Sequence, residues 1–521
     1  MFRPFGNLVR LPDGRTLRKQ ANGVWIDVNS GVKMNDTMVG NLMYSSVFYG
    51  VPDGGVGKDT PRWVVGVAGS FTITNWLNDA KNGTDSIDFG WIGDSNTIRC
   101  NINDGCWRGD PQGLVDHFMT AGISAGIKIY GSPIQTVANG NASGYKTYSN
   151  ALDVTLTGRG WTSGVSKGEP SYSSEWSAGG GRFTPNYDSV GSLNTFGRDG
   201  YAWLPDGKTG YANNLIIECT GGFSNIGLTP PLTLRLIAGT TGNTGGILPI
   251  FFVNAANATT RVANVAVTFT GGFTGYNIDL PSSAYGNTGV SVYFSGQNAP
   301  GFFATGPVGM ALNSVFTKTD KGMASSLLFG SPGITLGGIY TGLTLASSFN
   351  SNKTITNMLK EFHIRQKVAG GTGRVCIAIC SGVNLDNGSN NAEIIANTEE
   401  YTKNIASIIT SEWATAGLPA DKLTFLVFNT WTGEPSSTWS TILPTIVTDL
   451  KLYANDRSKN ITYVDILTFA GTYAGLTAAG YYDQTSNTKG TAHLSNGLTG
   501  GYHYVSNNIF TALLKQRNTN K

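Results

Sequence analysis

The chain is short of charge. Lys, Arg, Asp and Glu make up only 13% of its 521 residues, about half the share of an ordinary globular protein, and the net charge is +3. That balance provides no basic face for nucleic acid or an anionic membrane. Cysteine is also scarce. Cys100, Cys106, Cys219, Cys376 and Cys380 form an odd set without metal-ligand spacing, which argues against a disulfide framework or a zinc site and for free thiols. Cys376 and Cys380 lie four apart on an expected strand, too far to bridge. Long apolar runs are missing as well: no stretch approaches the roughly 18 apolar residues of a membrane span. Met1-Phe2-Arg3-Pro4-Phe5-Gly6 lacks the basic and then apolar start of a secretory signal. No cofactor is indicated.

Gly (70 residues), Asn, Ser and Thr take the place of charge. A polar, uncharged surface of this kind suits extracellular β-rich proteins, virion fibres and carbohydrate binders. Aromatics at 11% exclude general disorder. An extracellular-looking surface without an export signal fits a phage virion component, made in the host cytoplasm and released by lysis.

The length allows two or three domains, and the pattern changes along the chain. Residues 1–60 form a small β segment, with the turn Leu11-Pro12-Asp13-Gly14 between two short strands. This segment is either an extension packed on the rest or an adaptor that docks onto a particle. Residues 61–135 read as α/β, with strands at Trp63–Ala68, Ile87–Ile92 and Gly126–Tyr130 and a helix at Leu114–Ile123. Over 136–330 helical periodicity vanishes. Alternating strands such as Leu232–Leu236, Val262–Phe269 and Val290–Phe294 predict an inserted all-β, sandwich-like module. Its aromatics Trp176, Tyr187 and Trp203 either stack on sugar rings or fill the core. From 331 to 521 the α/β rhythm resumes. Helices at Ile355–Gln366, Ala392–Ala416, Trp439–Ala454 and Tyr502–Leu514 alternate with apolar strands at Arg374–Cys380, Leu423–Phe428 and Ile461–Leu467. Continuous apolar strands between helices imply a parallel sheet covered on both faces. The two α/β stretches then form one domain, interrupted by the β module.

Active sites of such sheets gather at the carboxyl ends of the strands, so the residues that follow each strand carry the functional reading. Phe89-Gly90-Trp91-Ile92 runs into Gly93-Asp94-Ser95, which places a serine on a sharp strand-to-helix turn where backbone N–H groups can face an oxyanion. Asp94 reads as a cap for that turn. The strand 375–380 leads to Ser381-Gly382-Val383-Asn384, and the Asn384 amide can donate to the same oxygen. A strand near Ile334 is expected to end in Leu336-Gly337-Gly338, and the loop before the last helix holds Ala492-His493-Leu494-Ser495. His493 is the candidate base. Among the other histidines, His503 is the alternative, whereas His117 and His363 fall on helices away from such a loop.

The order Gly-Asp-Ser, Gly, Gly-x-Asn and His-Leu-Ser before the last helix resembles the SGNH (GDSL-type) hydrolases, over about 61–135 and 330–521. The resemblance implies a flavodoxin-like three-layer αβα domain with Ser95 as nucleophile and His493 as base. The oxyanion would be held by Ser95, Gly337 and Asn384, with Gly338 and Gly131 as rivals for the glycine. SGNH-type esterases carried on phage tail spikes, with an inserted β module, look similar overall. That likeness implies a carbohydrate O-acetylesterase acting on a bacterial surface polysaccharide. It also implies other tail proteins as partners through the N-terminal segment, and a homotrimer. Two departures stand out. Leu385 follows Asn384, and Gly490 stands three residues before His493, where the family carries the orienting Asp. Asp483 or Asp465 can substitute, the site can work as a Ser–His dyad, or the scaffold has decayed into a structural or receptor-binding protein.

Overall fold

Strand β6 (Ile87–Gly93) lies at the centre of the parallel part of the sheet, and all seven of its residues are buried. The computed structural model describes residues 66–98, 113–131, 320–330, 335–348, 354–380, 384–385, 388–429, 431, 437–456, 459–482, 493–495, 497 and 499–515; elsewhere it describes little beyond strand segments.

In chain order, β1 (Leu8–Arg10), β2 (Thr16–Lys19), β3 (Trp25–Asp27) and β4 (Lys33–Met34) form a four-stranded antiparallel sheet. The α/β elements begin with β5 (Val67–Gly69) and α1 (Thr72–Lys81), followed by β6, α2 (Ser95–Ile98) and α3 (Gly113–Ser124). The elements described between 134 and 330 are all strands: β7 (Ile134–Val137), β8 (Lys146–Ser149), β9 (Val154–Thr157), β10 (Tyr201–Leu204), β11 (Asn214–Cys219), β12 (Leu232–Thr240), β13 (Asn243–Val253), β14 (Thr259–Thr270), β15 (Phe273–Asp279), β16 (Gly289–Tyr293), β17 (Val308–Thr317) and β18 (Met323–Gly330). The α/β alternation then returns with α4 (Leu336–Ser348), α5 (Thr354–Val368), β19 (Val375–Cys380), α6 (Asn391–Thr415), β20 (Leu423–Phe428), α7 (Thr438–Ala454), β21 (Ile461–Val464), α8 (Ile466–Ala470), α9 (Tyr473–Ala478) and α10 (Gly501–Lys515).

The result is a mixed α/β sheet. Strands β18, β6, β19, β20 and β21 lie side by side in that order and all parallel. β6, the earliest in the chain, therefore sits between the next strand on one side and all later ones on the other. Its alternate residues serve two helix layers. Phe89 and Trp91 pack against Phe118 of α3, Trp91 stacks on Phe428, and Phe118 meets Phe510 of α10. On the other face Ile92, Ile377, Ile379 and Val427 join Phe362, Ile405, Trp413 and Ile446 of α5–α7 in one apolar cluster. Gly90 is required here, because a Cβ would come within 2.8 Å of both Phe362 and Ile377. The long helices start at side-chain caps: Asn390 accepts from the Glu393 N–H and Ser437 from the Ser440 N–H.

A buried charge locks β6 to a helix layer. Asp88, Arg365 and Tyr130 are all fully buried. Asp88 accepts from Arg365 Nε at 2.6 Å and from Tyr130 Oη at 2.8 Å, and a second guanidinium N–H completes a two-point pair. The β-rich region is tied to the same helix, where Arg235 of β12 grips Glu361 of α5 through two N–H groups at 2.8 and 2.9 Å.

Several expected elements change. The strand expected at Trp63–Ala68 is described as Val67–Gly69, and it pairs antiparallel with β21 at the sheet edge. Gly126–Tyr130 makes only the parallel bridge Ile129–Met323. The strand expected through Leu467 stops at Val464, because Asp465 caps α8 by accepting from the Thr468 N–H. Leu336-Gly337-Gly338 does not end a strand; it opens helix α4, and the strand before it is β18. The β-rich strands fall into two sheets. One has the order β10-β17-β12-β15, and the other run, β14-β13-β16-β11-β9-β8-β7, continues the α/β sheet past β18.

Removing Arg365 leaves the Asp88 charge buried without its partner. Arg365→Met is expected to cost about 3–5 kcal/mol, and Asp88→Asn in the same chain to recover part of that loss. Urea unfolding of the single and double variants checks both figures.

Candidate active site

Parallel pairing aligns the carboxyl ends of the central strands. Gly93 lies opposite Gly330, Ile92 opposite Ile379, and Cys380 opposite Phe428. Ligands of open α/β sheets bind where neighbouring connections diverge at that edge, and here the divergence falls at the end of β6. The first residues past it are Asp94 and Ser95. Gly93 lacks a Cβ for a local reason, since one would overlap the Thr97 hydroxyl.

Asp94 is 1% exposed and organises the turn. One carboxylate oxygen accepts the Asn96 N–H at 2.9 Å, and its backbone carbonyl accepts the Thr97 N–H at 3.1 Å. The other carboxylate oxygen accepts from Asn384 Nδ2 at 3.1 Å. The sequence-predicted oxyanion donor is thus brought directly to the residue before the predicted nucleophile, across 290 positions of chain. Burial pushes the Asp94 carboxyl up to about 6, while the N–H donors from Asn96, Thr97 and Asn384 pull it back. Burial likewise drives the neighbouring Cys380 thiol far up, and the Asp94 charge adds to that effect.

A second chain of contacts leads from Ser95 to His493. Asn96 Oδ1 accepts from Tyr502 Oη at 2.9 Å, which places the start of α10 against the turn. Ser495 caps that helix: its hydroxyl accepts the Gly501 N–H at 3.0 Å and its carbonyl the Tyr502 N–H. The Ser495 N–H donates to the Tyr481 carbonyl at 2.7 Å, and Leu494 bridges Tyr482 antiparallel. His493, half-buried, is the residue just before this bridge. Its loop and the Ser95 turn are therefore tied to the same helix end.

The remaining candidates divide. Gly337 and Gly338 lie in the first turn of α4, where the Gly338 N–H donates to the Thr335 hydroxyl at 3.0 Å; that capping bond occupies the N–H of Gly338, one of the rival candidates for the oxyanion glycine. Gly131 is buried. Asp465 has its carboxylate held by Lys451 at 2.7 Å and by the Thr468 hydroxyl at 2.8 Å. His503 has Nε2 against the Asn507 amide at 2.7 Å and meets His117 edge-on, and burial lowers its pKa. Asp483, Gly490, Trp176 and Tyr187 lie outside the described residues, as do the side chains of Ser95 and Trp203. Among the described residues no group of three His, Cys, Asp or Glu can hold a metal ion, and no helix is long and apolar enough to cross a membrane.

Sequence reasoning took Asp94 for a local cap and missed its bond to Asn384. It also missed Asn96 and Tyr502. All three are ordinary polar residues until the fold brings them together, and only Asp94 carried a signal, through its place in Gly-Asp-Ser.

No family model matches the chain, and no curated protein does. Among solved structures, it is similar to a point mutant of CBM29-2, a family 29 carbohydrate-binding module, at 15% identity over 24% of this chain and 71% of that one, with a TM-score of 0.16. A structure titled for the function of a CBM4 module is similar at 14% identity over 22% and 80%, again with a TM-score of 0.16. Likeness at this level establishes neither fold nor ligand for this chain.

The raised Asp94 pKa has a definite sign for stability. A carboxyl moved from 3.8 in the unfolded chain to about 6 when folded supports the fold below pH 4, and that support is lost as pH rises through about 6. The loss amounts to roughly 3 kcal/mol. The stability of the wild-type chain relative to Asp94→Asn is therefore expected to fall by about that much between pH 4 and pH 7. Urea titrations of both proteins measure it, and a pH-independent difference contradicts the buried, titrating carboxylate.

Proposed function

We propose that this chain is a serine esterase of the SGNH type that removes acetyl groups from a bacterial surface polysaccharide as part of a phage tail spike or fibre. The observation that carries the reading is the contact between Asn384 and Asp94, which brings a side-chain N–H donor to the residue before Ser95 at the carboxyl edge of the sheet. Support also comes from the strand order β18-β6-β19-β20-β21, which is flavodoxin-like, and from the shared anchorage of the His493 loop and the Ser95 turn on α10.

In this reading Ser95 attacks the ester carbonyl while His493 takes its proton. The negative oxygen is held by Asn384, by the Ser95 N–H and by Gly337. His493 then returns the proton to the departing sugar oxygen, and water releases the acyl group from Ser95. Asp483 is assigned the role of orienting His493 on sequence grounds: it directly follows Tyr482, whose bridge partner Leu494 directly follows His493. The β-rich strands would present the polysaccharide, and the N-terminal segment would join the spike to other tail proteins.

A second reading has one observation of its own, Gly490 at the place of the family's Asp. It makes the chain a decayed scaffold that binds a receptor without hydrolysis.

Hydrolysis of a chromogenic acetate ester separates the two readings. Ser95→Ala and His493→Ala are each expected to lower kcat by roughly a thousandfold or more, and Asp483→Asn by about 10- to 1,000-fold. Equal rates in the wild type and Ser95→Ala, together with no fluorophosphonate labelling of Ser95, would establish the decayed scaffold instead.

A further inference from the structure

We propose that Asp94 is the positioning residue of the oxyanion site: its carboxylate, anchored on the Asn96 N–H, holds the Asn384 amide so that one N–H faces Asp94 and the other faces the ester oxygen. The assignment rests on the esterase reading of the same site.

A side-chain amide carries two N–H groups on one nitrogen, about 120° apart in the amide plane. Asn384 stands four residues beyond the end of β19 and is half-buried, so strand pairing does not fix the rotation of that amide. The 3.1 Å bond to Asp94 does. Spending one N–H on a fixed acceptor sets the direction of the other, which is what a preorganised oxyanion donor requires.

Asp94 is suited to be that fixed acceptor for two reasons. It is the residue immediately after a strand paired on both edges, and it is almost completely buried. Two donors also converge on its two different oxygens, Asn96 N–H on one and Asn384 Nδ2 on the other. Only an ionised carboxylate offers an acceptor at both places. A neutral acid, or an asparagine, sets a donor against a donor at one of them. A serine or threonine at this position has a single oxygen and does not offer acceptor atoms at both places. An acid that was only a turn cap would need just the first contact.

The test is a double-substitution cycle on acetate-ester hydrolysis with Asp94→Asn, Asn384→Ala and both together. Asp94→Asn is expected to lower kcat roughly 10- to 100-fold with KM changed less than about threefold, because the amide is misaimed without loss of ground-state binding. Asn384→Ala is expected to cost about 100-fold. The pair together should fall within about threefold of Asn384→Ala alone, since Asp94 has then lost the group through which it acts. Fluorophosphonate labelling of Ser95 in each variant reports an intact fold and nucleophile. Asp94→Ser supplies the same cycle if Asp94→Asn does not fold. Independent, multiplying losses, or an Asp94 variant with unchanged kcat, would overturn the positioning role while leaving the esterase standing. A wild-type chain no faster than Ser95→Ala would overturn both.

Discussion

Parallel pairing of β6 on both of its edges is the constraint on which the rest of the site depends. An interior strand with both faces covered cannot slip by one residue without turning Phe89 and Trp91 out of one layer and Ile92 out of the other. Register is therefore held firmly, and with it the level at which each neighbouring strand ends. Gly93, Gly330 and Cys380 finish together, so the residues that follow β6 and β19 emerge side by side. The contact between Asp94 and Asn384 is a direct consequence of that alignment.

β6 carries a buried carboxylate at each end, and the two are treated differently. Asp88 meets a guanidinium and a phenol, so its charge is compensated and the strand is pinned to α5. Burial lifts the Asp94 carboxyl to about 6 against the pull of the Asn96, Thr97 and Asn384 N–H groups, so its ionised form is a burden on the fold. A stabilising role alone does not account for keeping an acid there. Holding two donors on two oxygens does, and strained or destabilised groups of this sort gather at functional sites.

Much of the fold was legible because its signals are local. β19 and β20 announce themselves as unbroken apolar runs, α6 and α7 by their periodicity and their Asn390 and Ser437 caps, and the region after α3 by loss of helical period. The errors have physical causes. Asp465 reads as part of an apolar strand until its carboxylate is seen capping a helix. Leu336-Gly337-Gly338 reads as a strand end because glycine and leucine carry no direction of their own, whereas Thr335 just before them is an N-cap. Edge pairing of β5 depends on which neighbour the sheet provides, and no periodicity reports it.

At the site, the sequence by itself determined the candidate residues and their order: Ser95 after a buried strand, Asn384 after the next apolar one in the α/β series, and His493 before the last helix. Position after apolar strands made them candidates, and the resemblance to SGNH hydrolases assigned their roles. Tertiary structure alone decided which groups meet. It set the Asn384 amide on Asp94, tied the His493 loop to the Ser95 turn through Ser495, Tyr502 and Asn96, and paired Asp465 with Lys451. Hydrogen-bond partners hundreds of residues apart are chosen by where strands end in space, and strand ends are set by register between elements rather than by any one of them.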